Sequence, residues 1–131
     1  MSFVNTPRLD AIKLFRTDMS QTELARRHWE AFFERLSPLL RASVVQVETS
    51  GLGLGDRIAA DWVRLAELSY DAANDLLAIA AHGADRTIHR PARIYVRDED
   101  GWLQSIEIID GEGRRDFIIF KEPLHLAELT P

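Results

Sequence analysis

The stretch ARIYVRDEDGWLQSIEIIDGEGRRDFIIFK, Ala92 to Lys121, reads as three β-strands joined by two tight turns. The segments are Ala92–Asp98, Trp102–Ile109 and Arg114–Lys121, separated by Asp100-Gly101 and by Asp110-Gly111 with Gly113 behind it. Aspartate followed by glycine suits positions that need a left-handed backbone, and flanking alternation makes it a hairpin signal. An antiparallel meander follows. A three-residue loop of Glu99, Asp100 and Gly101 would set Asp98 opposite Trp102, Ile94 opposite Ile106, Ala92 opposite Ile108 and Arg93 opposite Glu107. Apolar then meets apolar and opposite charges meet. The last strand carries Ile118 and Phe120 on one side and Phe117 and Ile119 on the other, so it should be central or covered.

Upstream, Ser20 to Glu23 has the spacing of a capping box. Behind it Ala25, Trp29, Phe32, Phe33 and Leu36 form an apolar stripe at helical spacing, and Ser37-Pro38 should stop the helix. A helix over Ser20–Leu36 is predicted, its aromatic side docked on the sheet; on that reading Phe32→Asp would unfold the protein. The other role for Trp29, Phe32 and Phe33 is an exposed stripe for a partner. Ser43–Thr49 alternates as a strand. Asp56–Ala81 is alanine-rich and reads either as one long helix or as the strands Arg57–Trp62, Leu65–Asp71 and Leu76–Ala81, with a turn at Ala72 to Asp75. His82–Pro91 reads as a connection, and Pro123 as the end of the last strand. Trp62 and Trp102 fall near strand ends, where partial exposure is common.

The resulting expectation is an α+β fold: an N-terminal amphipathic helix packed on a mostly antiparallel meander sheet of about six strands. Residues 1–19 form a partly helical extension that Thr6-Pro7 would open, residues 20–122 the single domain, and residues 123–131 a tail.

The segments HWEAFFERLS (His28–Ser37), VVQVE (Val44–Glu48), HRPARIYV (His89–Val96) and SIEIIDGEGRRDFIIF (Ser105–Phe120), in this order and spacing, resemble a family of small bacterial proteins known only as domain of unknown function 5335. The resemblance implies a shared fold in which Asp56–Ala81 is strand. It implies no activity, substrate or catalytic residue.

Composition bounds the function. The chain has 131 residues, 46% hydrophobic and 28% charged, ordinary for one globular domain. It has no cysteine, which removes disulfides, thiolate metal sites and cysteine nucleophiles. The net charge of −5 argues against a nucleic-acid partner. The longest apolar run, Leu76 to Ala81, is far shorter than a membrane span, and the first residues lack a signal-peptide core, so a cytoplasmic location is expected.

Motifs add little chemistry. Gly51, Gly53 and Gly55 follow a strand, but their spacing fits neither a dinucleotide fingerprint nor a phosphate loop. His28, His82, His89 and His125 show no metal-pair spacing, and no metal or cofactor is expected. His82 and His89 flank one loop, and His89 with Glu107 or Asp85 could work as a base. Ser, His and Asp occur with no nucleophile motif, so no catalytic residue is assigned. The densest charge feature is basic: Arg86, His89, Arg90, Arg93 and Arg97, with Tyr95 among them. Strand alternation puts Arg93, Tyr95 and Arg97 on one face, where they could grip an anionic ligand; the plainer reading is a solvated face of exposed ion pairs. The leading function is a non-enzymatic binding or interaction domain, with self-association or a protein partner. The alternative is a small anionic-ligand binder or enzyme built on Arg90, Arg93, Arg97, Tyr95 and His89.

Overall fold

The computed structural model describes residues 19–40, 43–51, 55 and 57–126. The expected N-terminal extension, apart from Met19, lies outside them. Among the described residues, eight antiparallel strands form one sheet: β1 (Met19–Leu24), β2 (Val44–Ser50), β3 (Arg57–Asp71), β4 (Leu76–Ala81), β5 (Ala84–His89), β6 (Pro91–Glu99), β7 (Trp102–Asp110) and β8 (Arg115–His125). The helical part is a 3-10 turn at Arg26–His28 running into α1 (Trp29–Leu40). Spatial order is β1-β6-β7-β8-β2-β3-β4-β5, two meanders joined by the β2–β8 pair.

The α+β expectation with about six strands is therefore corrected to a mainly β domain with a single α-helix among the described residues. Ser20–Glu23 is not a capping box. It belongs to β1, which adds to the free edge of β6 with Gln21 opposite Arg97 and Glu23 opposite Tyr95. A ladder of backbone hydrogen bonds outweighs the local cap, because the segment has few apolar residues to dock as a helix. The helix starts nine residues later than expected, at Trp29 rather than Ser20, and runs through Pro38 to Leu40. Pro38 leaves one carbonyl of the preceding turn without its usual donor, but Ser37 Oγ donates to the Phe33 carbonyl nearby at 3.0 Å.

Of the alanine-rich segment, the described residues 57–81 resolve as strands around a turn. Residues 57 to 71 are one long strand, bent where Trp62 takes a positive φ of 54°. Val45 pairs with Val63 and Val47 with Ala60, so Asp61 and Trp62 both oppose Gln46 in a bulge. The turn at Ala72 to Asp75 is present, with the Asp71 carboxylate accepting the amides of Ala73 and Asn74. The connection expected over His82–Pro91 contains β5, which pairs with β4 after a turn at His82-Gly83.

In the β6–β7 hairpin Asp100 and Gly101 both have positive φ (52° and 83°), so the turn has two residues and Glu99 pairs with Trp102. Gln104 is then skipped, Arg97 pairs with Ser105, and Val96 meets Ile106, Ile94 meets Ile108 and Tyr95 meets Glu107. The two one-residue differences from the expected register sum to an even shift. Ile94, Tyr95, Val96, Ile106 and Ile108 change partners and keep their faces, whereas Leu103, beyond the bulge, joins Ile106 on the buried side. Pro123 does not end β8. It sits where Ile119 and Leu124 flank an irregularity opposite Gln104, so its missing N–H breaks no ladder bond.

Only Arg90 separates β5 from β6, yet these strands lie toward opposite ends of the order. Adjacent Cα atoms are about 3.8 Å apart, so the sheet must curl until β5 comes round to β6. The interior holds Val45, Val47, Leu65, Leu68, Leu77, Ile79, Ile94, Ile106, Ile108 and Ile118. Helix α1 packs against β3 and buries Trp29, Phe33, Leu36 and Leu40, so the aromatic stripe is core, with Phe32 at its margin.

Arg26 clamps this closure. Its Nη2 donates to the Pro91 carbonyl at 2.8 Å and its Nη1 to Asp75 Oδ1 at 3.1 Å, while the guanidinium lies 4.3 Å from the centre of the Trp29 ring. Tyr70 Oη donates to the same Asp75 oxygen at 2.7 Å, and the Tyr70 ring meets Trp29 edge-on. Burial, then the bond to Asp75, hold the Tyr70 phenol above the ordinary tyrosine value.

Candidate functional site

Strand register places the outward side chains of β1, β6, β7, β8, β2 and β3 in rows. One row runs Glu23, Tyr95, Glu107, Phe117, Glu48, Ile58. The next runs Gln21, Arg97, Ser105, Ile119, Gln46 and the bulged pair Asp61 and Trp62. A third, shorter row holds Arg93, Ile109, Arg115 and Ser50. Phe117 and Ile119 are half-buried and floor a cavity of about 360 Å³ whose walls include Gln21, Glu48, Tyr95, Arg97 and Glu107. Beyond Glu48 and Gln46 on β2, the face turns apolar again at Ile58 and Trp62, 57% and 42% exposed.

The polar groups on this face tie mostly to one another. Arg115 Nη1 donates to Glu107 Oε2 at 2.8 Å, Gln46 Nε2 to Asp61 Oδ1 at 3.0 Å, and Arg97 Nη2 to Gln21 Oε1 at 3.4 Å. Arg93 Nη1 donates to Tyr95 Oη at 3.3 Å, and that bond leads the upward shift of its guanidinium. These exposed pairs orient side chains more than they stabilise the fold.

The candidate residues divide between two places. Arg93, Tyr95 and Arg97 share the outer face of β6, as alternation requires. His89 and Arg90 turn the corner from β5 to β6 and line a separate cleft of about 500 Å³ with Arg86, Asp110, Arg114 and Asp116. His82 lies in the turn before β5 and His89 at the far end of that strand, about 20 Å away at strand spacing, so the segment does not bring them together. His28 lies exposed in the 3-10 turn, and the His125 ring packs on Trp102 at 4.4 Å. Among the described residues no three His, Asp or Glu side chains converge as metal ligands. No helix there is long and apolar enough to cross a membrane.

Ile58, Arg114 and Asp116 were not singled out by sequence reasoning, whereas Arg86 belonged to its basic cluster; the last strand was expected to be central or covered, and it is central, with Phe117 and Ile119 half-buried. For Phe117 and Ile119 the signal was legible: a strand apolar on both faces has a second face to account for. Asp116 carried a weaker signal, a lone acid at the inward parity of Ile118 and Phe120, opposite Ile108. It is 1% exposed, accepts a 2.7 Å bond from Thr49 Oγ1 and lies 2.8 Å from Arg86 Nε.

Residues 20–129 match the Family of unknown function (DUF5335), and the chain belongs to that family. An uncharacterized protein of Aquifex aeolicus (strain VF5) is 34% identical over 111 residues, which is 84% of this chain and 100% of the relative. The family thus includes bacterial members, and neither match carries an activity. No solved structure matches the chain.

Proposed function

We propose that this family member is a non-enzymatic, cytoplasmic interaction domain that pairs with a second copy of itself through the outer face of β1, β6, β7, β8, β2 and β3. The observation that carries the reading is a set of four large apolar side chains on this face, Phe117 and Ile119 flooring its cavity and Ile58 and Trp62 exposed at its β3 end. Large apolar side chains gathered on one surface favour a contact role.

A second copy fits because the two long rows complement each other. Closed dimers are two-fold symmetric, so the same patch must match itself. A two-fold axis parallel to the rows and between them lays one row over the other. Tyr95 then lies over the partner's Arg97, Phe117 over the partner's Ile119, and Ile58 over the partner's Trp62. The acids Glu23, Glu107 and Glu48 lie over the neutral, hydrogen-bonding Gln21, Ser105 and Gln46. No like charges are forced together.

Magnitude sets the kind of dimer. Six strands at ~4.8 Å and the two facing rows at ~7 Å give roughly 400 Å² per copy. That is below the standard size of stable interfaces, so the pairing is weak, reversible and concentration-dependent. The test is light scattering across a dilution series on wild type and on Ile58→Glu, whose parent residue is exposed and outside the buried core. A dimer that dissociates on dilution, and that Ile58→Glu shifts at least tenfold toward monomer, is the expected result. A monomer at every concentration refutes the proposal, as does a dimer indifferent to the charge.

A further inference from the structure

The corner cleft is a second site, independent of the outer face. Its two walls come from β5 with the Arg90 corner and from the β7–β8 turn with the start of β8. Curling of the sheet makes it, since these elements are distant in strand order.

The acids and bases of this cleft are unequally engaged. Asp110 Oδ1 accepts the amides of Glu112 and Arg114, each at 2.9 Å, and so caps its own turn. Asp116 Oδ1 accepts from Thr49 and holds Arg86 electrostatically from beneath. Glu112 is exposed at the turn tip. Two of the guanidinium groups keep a buried Nε–H without a hydrogen-bond acceptor. Arg114 Nε is buried and reaches no hydrogen-bond acceptor among the described residues. Arg86 Nε lies 2.8 Å from Asp116 Oδ1, but its N–H is not directed at that oxygen and makes no hydrogen bond there. A buried N–H without an acceptor costs free energy that an oxyanion would recover. Arg90 stands at the mouth with a positive φ of 51°, its backbone N–H held by the Asp75 carbonyl, so the corner that presents it is fixed.

We propose that this cleft binds a tetrahedral phosphate group, with Arg86 and Arg114 as the inner donors and Arg90 and His89 at the entrance. Guanidinium forks match phosphate oxygens and hold their charge at every physiological pH. A cavity of about 500 Å³ is much larger than a bare phosphate, which favours a phosphomonoester of a small organic molecule over the free ion.

Isothermal titration with inorganic phosphate and, separately, with glycerol phosphate tests this at matched ionic strength. Wild type, Arg114→Gln, Arg90→Gln and Arg97→Gln are compared, the last placed on the outer face. The expected result is saturable binding with Kd about 1 mM or below for glycerol phosphate, weaker for the free ion. Arg114→Gln should weaken it at least tenfold, Arg90→Gln severalfold, and Arg97→Gln not at all. Tighter binding of the free ion would keep the site but reverse the ester preference. Should Arg114→Gln fail to fold by circular dichroism, Arg90→Gln against Arg97→Gln decides. Absence of saturation by both probes overturns the proposal, as does an equal loss in Arg97→Gln, which would mark a diffuse charge effect. None of these outcomes depends on the dimer, which Ile58→Glu tests separately.

Discussion

Replacing Arg26 by methionine keeps most of the side-chain stem and removes the guanidinium, and its cost can be worked from the contacts. The bond to the Pro91 carbonyl is part-buried and short, a charge-assisted bond worth about 1–1.5 kcal/mol net. The ion pair with Asp75 is half exposed on the arginine side, so screening leaves it about 0.5 kcal/mol. Stacking on Trp29 adds about 0.5–1 kcal/mol. The sum is about 2–3 kcal/mol. For a domain between the ~100- and ~150-residue classes this lowers Tm by roughly 8–12 °C. Urea unfolding followed by tryptophan fluorescence measures it, with the slope m checked for constancy. A second variant, Asp75→Asn, and the double variant close a thermodynamic cycle in which the pair term should be under about 1 kcal/mol. If Arg26→Met melts within about 0.5 kcal/mol of wild type, the arginine does not hold the β5–β6 closure, and the curl is maintained by the interior alone.

Three further outcomes follow from particular residues. Phe33→Ala should cost about 3–5 kcal/mol as a fully buried aromatic, against about 1 kcal/mol for the marginal Phe32; equal losses in chemical denaturation would mean α1 is rotated from its described seat. Gly51→Ala should destabilise by roughly 1–3 kcal/mol, because its φ is +116° and an added Cβ would sit 3.1 Å from Arg114 Cα and 3.2 Å from the Gly113 carbonyl, neither of which can swing away; a neutral melt refutes that close approach. Asp71 is held below its ordinary value of 3.8, first by the Asn74 side chain and then by the turn amides. A depressed carboxylate stabilises the fold above the unfolded pKa and loses that effect as pH falls through the folded one, so the Tm gap between wild type and Asp71→Asn should be open at pH 7 and shrink below about pH 4; a gap that widens on acidification reverses the sign and refutes it.

The strands that sequence reading recovered are those with both neighbours in place. β6, β7 and β8 announce themselves by alternation and Asp-Gly turns, and β4 by its apolar run. The two it missed, β1 and β5, are the two edges of the sheet. An edge strand pairs on one side and buries little: β5 buries only Ile88, and Gln21, Thr22 and Glu23 are all exposed. Polar edges resist unwanted pairing, and the same polarity erases the pattern that would reveal them. The false helix start at Ser20 has the same origin, since a polar segment before an apolar helix resembles a cap. The outer face was half legible. Arg93, Tyr95 and Arg97 follow from alternation within one strand, but their neighbours Phe117, Glu48 and Ile58 come from the β8–β2 and β2–β3 pairs. That long-range order is written in no local spacing.

β8 joins the two proposed sites, because its alternate residues serve different sides of the sheet. Arg115, Phe117 and Ile119 point to the outer face, and Asp116, Ile118 and Phe120 point inward. A strand apolar on both faces specifies its register weakly, since a one-residue slip exchanges one apolar set for another. Asp116 removes that ambiguity. In the observed register it lies opposite Thr49, whose hydroxyl it accepts, and beside Arg86 on β5. Slipped by one, the carboxylate would leave both partners, Arg86 would lose its counter-charge, and Phe117 would replace an acid in the cleft wall. Desolvating the carboxylate opposes folding, and the ion pair at best offsets that cost, so its value lies in discrimination between registers rather than in stability. The same buried acid therefore keeps Phe117 and Ile119 outward for a partner and Arg86 in the cleft for an anion.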